Sequence, residues 1–151
     1  MRTMLMLALA ATTLATGCAA PDRRVIMATD PTLLAAEQAY GFADAVVVGD
    51  TATLSGVIVI PHPGETGTEP AFDRVFAAID DTLKRAGFAW ADVVEIQSYH
   101  ADLPGQAQAI IAAKAKYVKA PYPAWTAIQV SRFLVDGGVA EVKVTARKSK
   151  R

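Results

Sequence analysis

Cysteine is nearly absent from this chain. One residue of that type, Cys18, stands among 151, so no disulfide can form within a molecule and the fold must rest on its core. Histidine is almost as scarce: the two present form no evident catalytic pair and no metal-ligand cluster. Net charge is also missing. Fifteen Lys and Arg balance fifteen Asp and Glu, which leaves no overall field to attract a nucleic acid or an anionic membrane. Arg147, Lys148, Lys150 and Arg151 crowd the C-terminus, but residues 148–151 read as a solvated basic tail. No internal repeat or low-complexity tract stands out, and the apolar run at 4–11 is too short to span a bilayer.

What is present suits one ordinary domain. Apolar residues make up 52% and charged residues 20%, a globular balance rather than a disordered one. Arg2, the apolar stretch 4–11 and the small residues 15–17 are the three parts of an export signal, read here as residues 1–17. Removing them from 151 leaves 134, enough for one core.

Leu14-Ala15-Thr16-Gly17-Cys18 resembles the bacterial lipobox, with Ala15 where a large aliphatic is usual. The resemblance implies a lipid on Cys18, and Ala19 after it points to the outer membrane, facing the periplasm. The membrane is then a partner through the N-terminal lipid, and ordinary signal-peptide cleavage is the alternative. Residues 18–38 mix Pro21, Pro31 and charged side chains with short apolar pieces and read as a tether, in which 25–27 has edge-strand character.

The folded part, 39–147, opens with β-favouring runs at 45–48 and 52–59 around Gly49-Asp50-Thr51, a hairpin signature. After a Pro/Gly-rich loop at 61–67, Phe72, Val75, Phe76, Ile79, Leu83 and Ala86 fall at helical spacing up to Gly87. A strand is expected at 93–99. A second helix carries Ala107, Ile110, Ile111, Lys114, Tyr117 and Val118 and ends before Pro121, and strands at 125–133 and 139–146 close the chain. The expected class is α+β in the order β-β-α-β-α-β-β. Two helices on one face of a mixed sheet leave the other face to be covered, most simply by further copies of the chain.

Ala45-Val46-Val47-Val48-Gly49-Asp50, Leu54-Ser55-Gly56, Ala86-Gly87, Asp92-Val93-Val94, Pro123-Ala124 and Ala140-Glu141-Val142, in that order and spacing, resemble the Rid family, the reactive intermediate deaminases. The resemblance covers about 40–146. It implies a chorismate-mutase-like fold, a homotrimer with small-molecule clefts between subunits, and no cofactor. The family's better-known members hydrolyse enamines and imines of amino acids to a 2-oxo acid and ammonia. They use an arginine after Pro-Ala to hold the substrate carboxylate, a glutamate on the last strand to position water, backbone near Ser-Gly to line the cleft, and an aromatic near the N-terminus to cover it. By this match Glu141 is the catalytic candidate, and Gly56, Phe42 with Tyr40, and position 125 are the ligand-binding candidates. Position 125 is Trp125, not arginine. Indole has one N–H and no charge, so the cleft is expected to favour an apolar or aromatic ligand, unless Trp125 only packs at an interface. Arg132 and Lys143 are the nearby cations and neither sits as a replacement.

Other residues weigh less. Ser98, His100 and Asp102 alternate on one strand face, where neighbours lie roughly 6–7 Å apart, too far for a nucleophile–base bond, so they are expected at a surface or interface. His62 has only Glu65 beside it and is expected to be a solvated loop residue, with no metal. Glu141 beside Lys143 also fits a plain outward-facing pair. Asp73, Asp80 and Asp81 with Arg74, Lys84 and Arg85 read as the exposed side of the first helix. Three functions follow. One is a diverged hydrolase of a C=N compound, a deaminase if active. Another is a non-catalytic small-molecule-binding trimer at the envelope. The third is ribonuclease action, disfavoured by the neutral charge, so no nucleic-acid partner is expected.

Overall fold

Buried and half-exposed side chains alternate along residues 140–147, the pattern of a strand with one face on a core. The structure, a computed structural model, describes residues 22–149. The export leader, the lipobox and Cys18 lie outside the described residues. The elements are β1 (Arg23–Ile26), α1 (Pro31–Tyr40), β2 (Ala45–Val48), β3 (Thr51–Leu54), β4 (Val57–Val59), α2 (Glu69–Ala86), a 3₁₀ turn at Trp90–Asp92, β5 (Val93–His100), α3 (Leu103–Tyr117), β6 (Ala124–Gln129) and β7 (Ala140–Arg147).

The sheet order is β1-β2-β3-β7-β5-β6, with β4 also on β7. Only β5 and β6 run parallel, joined by the α3 crossover; every other pairing is antiparallel. The run 52–59, expected as one strand, is two. Ser55 turns its hydroxyl onto the Ala43 carbonyl at 2.6 Å and its N–H onto Asp44 O at 2.9 Å. That interrupts the ladder at Ser55 and Gly56, so β3 pairs with one end of β7 and β4 with the other. The strand expected at 125–133 stops at Gln129.

Helix α2 buries Phe72, Val75, Phe76, Ile79 and Leu83 along one stripe against Ala140, Val142 and Val144 of β7 and Ile110 and Ala113 of α3. Gly87, at φ 85°, ends it in a left-handed cap: Phe88 N–H reaches Leu83 O and Gly87 N–H reaches Lys84 O. Trp90 stacks on Phe76 and meets Tyr117 at 5.6 and 5.5 Å between ring centres, sealing one end of the core.

From Arg23 onward the expected tether is structured. β1 adds an edge strand to β2, and α1 is a third helix, capped by the Asp30 carboxylate, entered at Pro31 and closed by Gly41 at φ 72°. Helix α1 has no apolar stripe; its one buried side chain is Glu37, which accepts the Ala28 N–H at 2.8 Å. Arg85 leaves the exposed side of α2, where it was expected, to bond Asp44 at 2.6 Å and Met27 O at 2.8 Å. The N-terminal segment is thus pinned by polar contacts.

Burial, joined by the neighbouring Asp44 carboxylate, raises the Glu37 pKa above its ordinary 4.5. A raised folded-state value means stability present below pH 4.5 and lost as pH rises through the folded pKa. Glu37→Gln keeps an acceptor for Ala28 N–H and removes that loss. It is expected to raise the midpoint of thermal unfolding at pH 7–8, with the gain vanishing below about pH 4; a gain independent of pH would contradict this.

Candidate functional site

β5 lies between β6 and β7, and its pleat sorts their side chains. Ile96, Ser98 and His100 face the helices, together with Val142 and Ala140 of β7 and Trp125 of β6. Glu95, Gln97 and Tyr99 face the open side, with Glu141 and Lys143. Within one chain Trp125 and Glu141 therefore occupy opposite faces of the sheet. Gly56 and Glu141 do come together, and Trp125 joins neither of them.

On the open face Glu141 is half-buried between Tyr99 and Ile58. A Cβ added at Gly56 would overlap the Glu141 carboxylate, so only glycine leaves room for the acid there. Burial pushes the Glu141 pKa up, and Lys143 offsets part of that rise. A polar ladder continues beside it: Tyr99 Oη donates to Gln97 Oε1, and Gln97 Nε2 to Glu95 Oε1, both at 3.2 Å. Phe42 and Tyr40 are exposed at the end of α1. Phe42 directly precedes Ala43, whose carbonyl accepts the Ser55 hydroxyl at the strand break.

The helix-side face corrects one expectation. Ser98 and His100 are buried, not at a surface, and His100 Nε2 lies 3.0 Å from Ser98 Oγ. Cα positions of neighbours on that face are roughly 6–7 Å apart, and a long imidazole leaning along the strand closes the gap. Asp102 joins neither; its carboxylate caps α3 by accepting Gly105 N–H at 3.2 Å. Instead His100 Nδ1 meets Gln106 Oε1 at 3.1 Å, and Gln106 Nε2 donates to Val139 O at 3.0 Å. With the Gln106 amide oriented that way, His100 carries its proton on Nδ1 and leaves Nε2 to accept from Ser98. Burial lowers the His100 pKa and keeps the ring neutral. The indole of Trp125 completes the chain, its Nε1–H donating to Ser98 Oγ at 3.0 Å. One directed series of hydrogen bonds thus runs from β6 through β5 and α3 to Val139, just ahead of β7.

The single N–H of Trp125 is committed inward, so this position shows outward only an apolar ring, 36% exposed. Over the ring, 3.1 Å from its centre, sits the Lys114 ammonium of α3. Lys114 falls in the apolar stripe of α3, and a cation inside such a stripe is the signal in the sequence for this contact. Arg132 pairs with Asp136 on the surface. Glu65 accepts the His62 backbone N–H and binds Arg74, which holds its carboxyl down at about 2. His62 itself stays exposed, and no cluster of three metal-ligating side chains occurs among the described residues.

Residues 32–148 match the sequence profile described as Endoribonuclease L-PSP. The chain is 32% identical over 114 residues to the RutC family protein YjgH of Escherichia coli, covering 72% of this chain and 83% of that one. Among solved structures, Rv2704 of Mycobacterium tuberculosis, a YjgF/YER057c/UK114 family member, superposes with a TM-score of 0.70 at 20% identity, covering 84% of this chain and 100% of its own. RidA of the Antarctic bacterium Psychrobacter sp. PAMC 21119 gives 0.63 at 24% identity, covering 82% and 94%. These two likenesses concern the fold.

Ser98→Ala is expected to strand the Trp125 N–H and the His100 Nε2 lone pair at once. That should cost about 1–3 kcal/mol in chemical denaturation and shift the Trp125 emission. A loss below about 0.5 kcal/mol, the usual size for an unremarkable surface change, would show that the chain of bonds does not hold the indole.

Proposed function

This chain belongs to the endoribonuclease L-PSP family, the Rid/YjgF proteins, and from that membership we propose that it works through a small-molecule cleft between copies of itself, in a homotrimer. Glu141 there orients water for hydrolysis of a C=N compound. The observation that carries this reading is the Glu141 carboxyl, half-buried, packed on Gly56 and held above its ordinary pKa by burial, a perturbed acid of the kind that serves in proton transfer. The opposite placement of Trp125 supports a site completed by a second chain. Phe42 and Tyr40, exposed at the end of α1, are the covering aromatics in this reading.

A second reading, a non-catalytic binding trimer, is favoured by one contact: β6 carries no charged side chain, and the one neutral donor at position 125, the Trp125 N–H, is already occupied by Ser98, so neither is offered to a substrate carboxylate. Loss of a charge-assisted contact of that kind weakens binding by about one to two orders of magnitude. The leader at 1–17 and a lipid on Cys18 would fix the protein at the envelope, away from cytoplasmic pyridoxal enzymes that generate imines, which agrees with an unusual ligand. RNA cleavage is not proposed: of the two histidines, His100 is buried among neutral partners and His62 lies in a separate loop.

Ammonia release from imines made in place by an amino-acid oxidase tests both readings. The hydrolase reading expects release above the uncatalysed rate, a fall of roughly 10²-fold in Glu141→Gln, and an acid limb above pH 4.5 because burial raises the Glu141 pKa. Release by Trp125→Arg alone would support the binding reading, and silence from both the native protein and that variant would overturn the hydrolase.

A further inference from the structure

Helix α1 is held to the domain by acids rather than by apolar packing. None of its apolar side chains is buried, and the one buried side chain it has is Glu37, 1% exposed. Both flanks of the helix converge on Arg85 of α2, which bonds Met27 O before it at 2.8 Å and the Asp44 carboxylate after it at 2.6 Å. Residues 28–42 thus form a strap between two anchored points. Within the strap Glu37 Oε2 accepts the Ala28 N–H at 2.8 Å, and the Glu37 carbonyl accepts the N–H groups of Gly41 and Phe42 at 2.8 and 3.1 Å. One residue therefore joins the segment before the helix to the turn after it.

The second carboxyl oxygen, Glu37 Oε1, is buried and accepts no hydrogen bond among the described residues. An ionised carboxylate with an oxygen unsatisfied there costs free energy, whereas a protonated one carries a donor. An acceptor is at hand. The Asp44 side chain acts on Glu37 as a hydrogen-bond partner and as a like charge, and two carboxyl groups hydrogen-bond only when they share a proton. Arg85 pairs with Asp44, so the shared proton resides on Glu37, which has no ion-pair partner among the described residues. Of the other charged groups around the strap, Asp81 of α2 bonds Arg85, Asp30 caps the start of α1, and Arg24 of β1 turns to Ala86 O.

We propose that α1 is a proton-locked flap: the proton shared by Glu37 and Asp44 holds it shut, and opening releases that proton and displaces Tyr40 and Phe42 at the end of the helix. Burial and the Asp44 carboxylate raise the Glu37 pKa above 4.5 in the closed flap, and in the open flap the solvated acid returns toward its ordinary value. Closure is therefore strongest below pH 4.5, weakens as pH rises above it, and levels off once pH passes the closed-state value. The consequence for a ligand rests on the reading of Tyr40 and Phe42 as the covering aromatics of the cleft; the opening itself does not.

Amide hydrogen exchange of the purified protein, followed by NMR from about pH 4 to 9 and corrected for the intrinsic rate, tests the flap. Protection of the Ala28 N–H is expected to be constant below about pH 4.5, to fall by up to about tenfold per pH unit above it, and then to level off. At each pH it should stay about tenfold or more below that of Val144 in β7 and be unaffected by low urea, the marks of a local opening. The fall should vanish in Glu37→Gln. It should shrink in Asp44→Asn, which keeps the acid at position 37 and removes the like charge beside it. Ala28 protection that ignores pH, that equals the protection of Val144, or that falls as steeply in both variants would overturn the proposal. No substrate enters these measurements, so the hydrolase reading can fail by ammonia release while the flap stands, and the reverse.

Discussion

The pleat of β5 governs how the candidate site is divided. Side chains at even and odd positions of that strand leave on opposite faces, and its two neighbours inherit the division through their register. Trp125 follows Ile96 to the helix side, while Glu141 follows Tyr99 to the open side. A one-residue slip in either ladder would exchange core and surface wholesale; it is resisted by Ala140, Val142, Val144 and Ala146, all buried in the core. Because the sheet separates the two residues, one chain alone has no cleft that contains both. β6 is an edge strand, and the open face is half-exposed and polar beside Glu141, so both surfaces are free to meet other copies.

Polar groups are buried on the helix side only where each has a partner. Ser98, His100 and Gln106 would each cost free energy alone in an apolar interior; in series, each donor meets an acceptor and the cost is offset. The same series determines what Trp125 presents. Its N–H turns inward and its ring outward, and the ring becomes the support for Lys114. That cation comes from α3 and lies on the face away from Glu141.

Much of the fold was legible in the sequence because it is written in apolar periodicity. Helix α2 carries its stripe from Phe72 to Ala86, and β7 alternates without exception. Helix α1 was missed for the opposite reason: Asp30, Pro31 and Gly41 punctuate it clearly, yet its single buried residue is Glu37, and a helix docked by a carboxyl leaves no stripe to read. The break at Ser55 and Gly56 was hidden too, since β-favouring residues flank it on both sides. Within the site, the pairing of Gly56 with Glu141 follows the family resemblance, and the substitution at Trp125 was visible at once. The Ser98–His100 bond is not legible from Cα spacing alone, because an imidazole reaches along the strand beyond it. Lys114 was absorbed into a helix pattern whose other members are mainly apolar.

The central claim is that the site is complete only between copies of the chain, and the mass of the native protein in solution addresses it most directly. Light scattering of the purified protein is predicted to give three chains per particle across a wide range of concentration. A stable monomer would contradict the account, because Glu141 and Trp125 would then remain on opposite faces of one sheet with nothing to bring them to a common ligand.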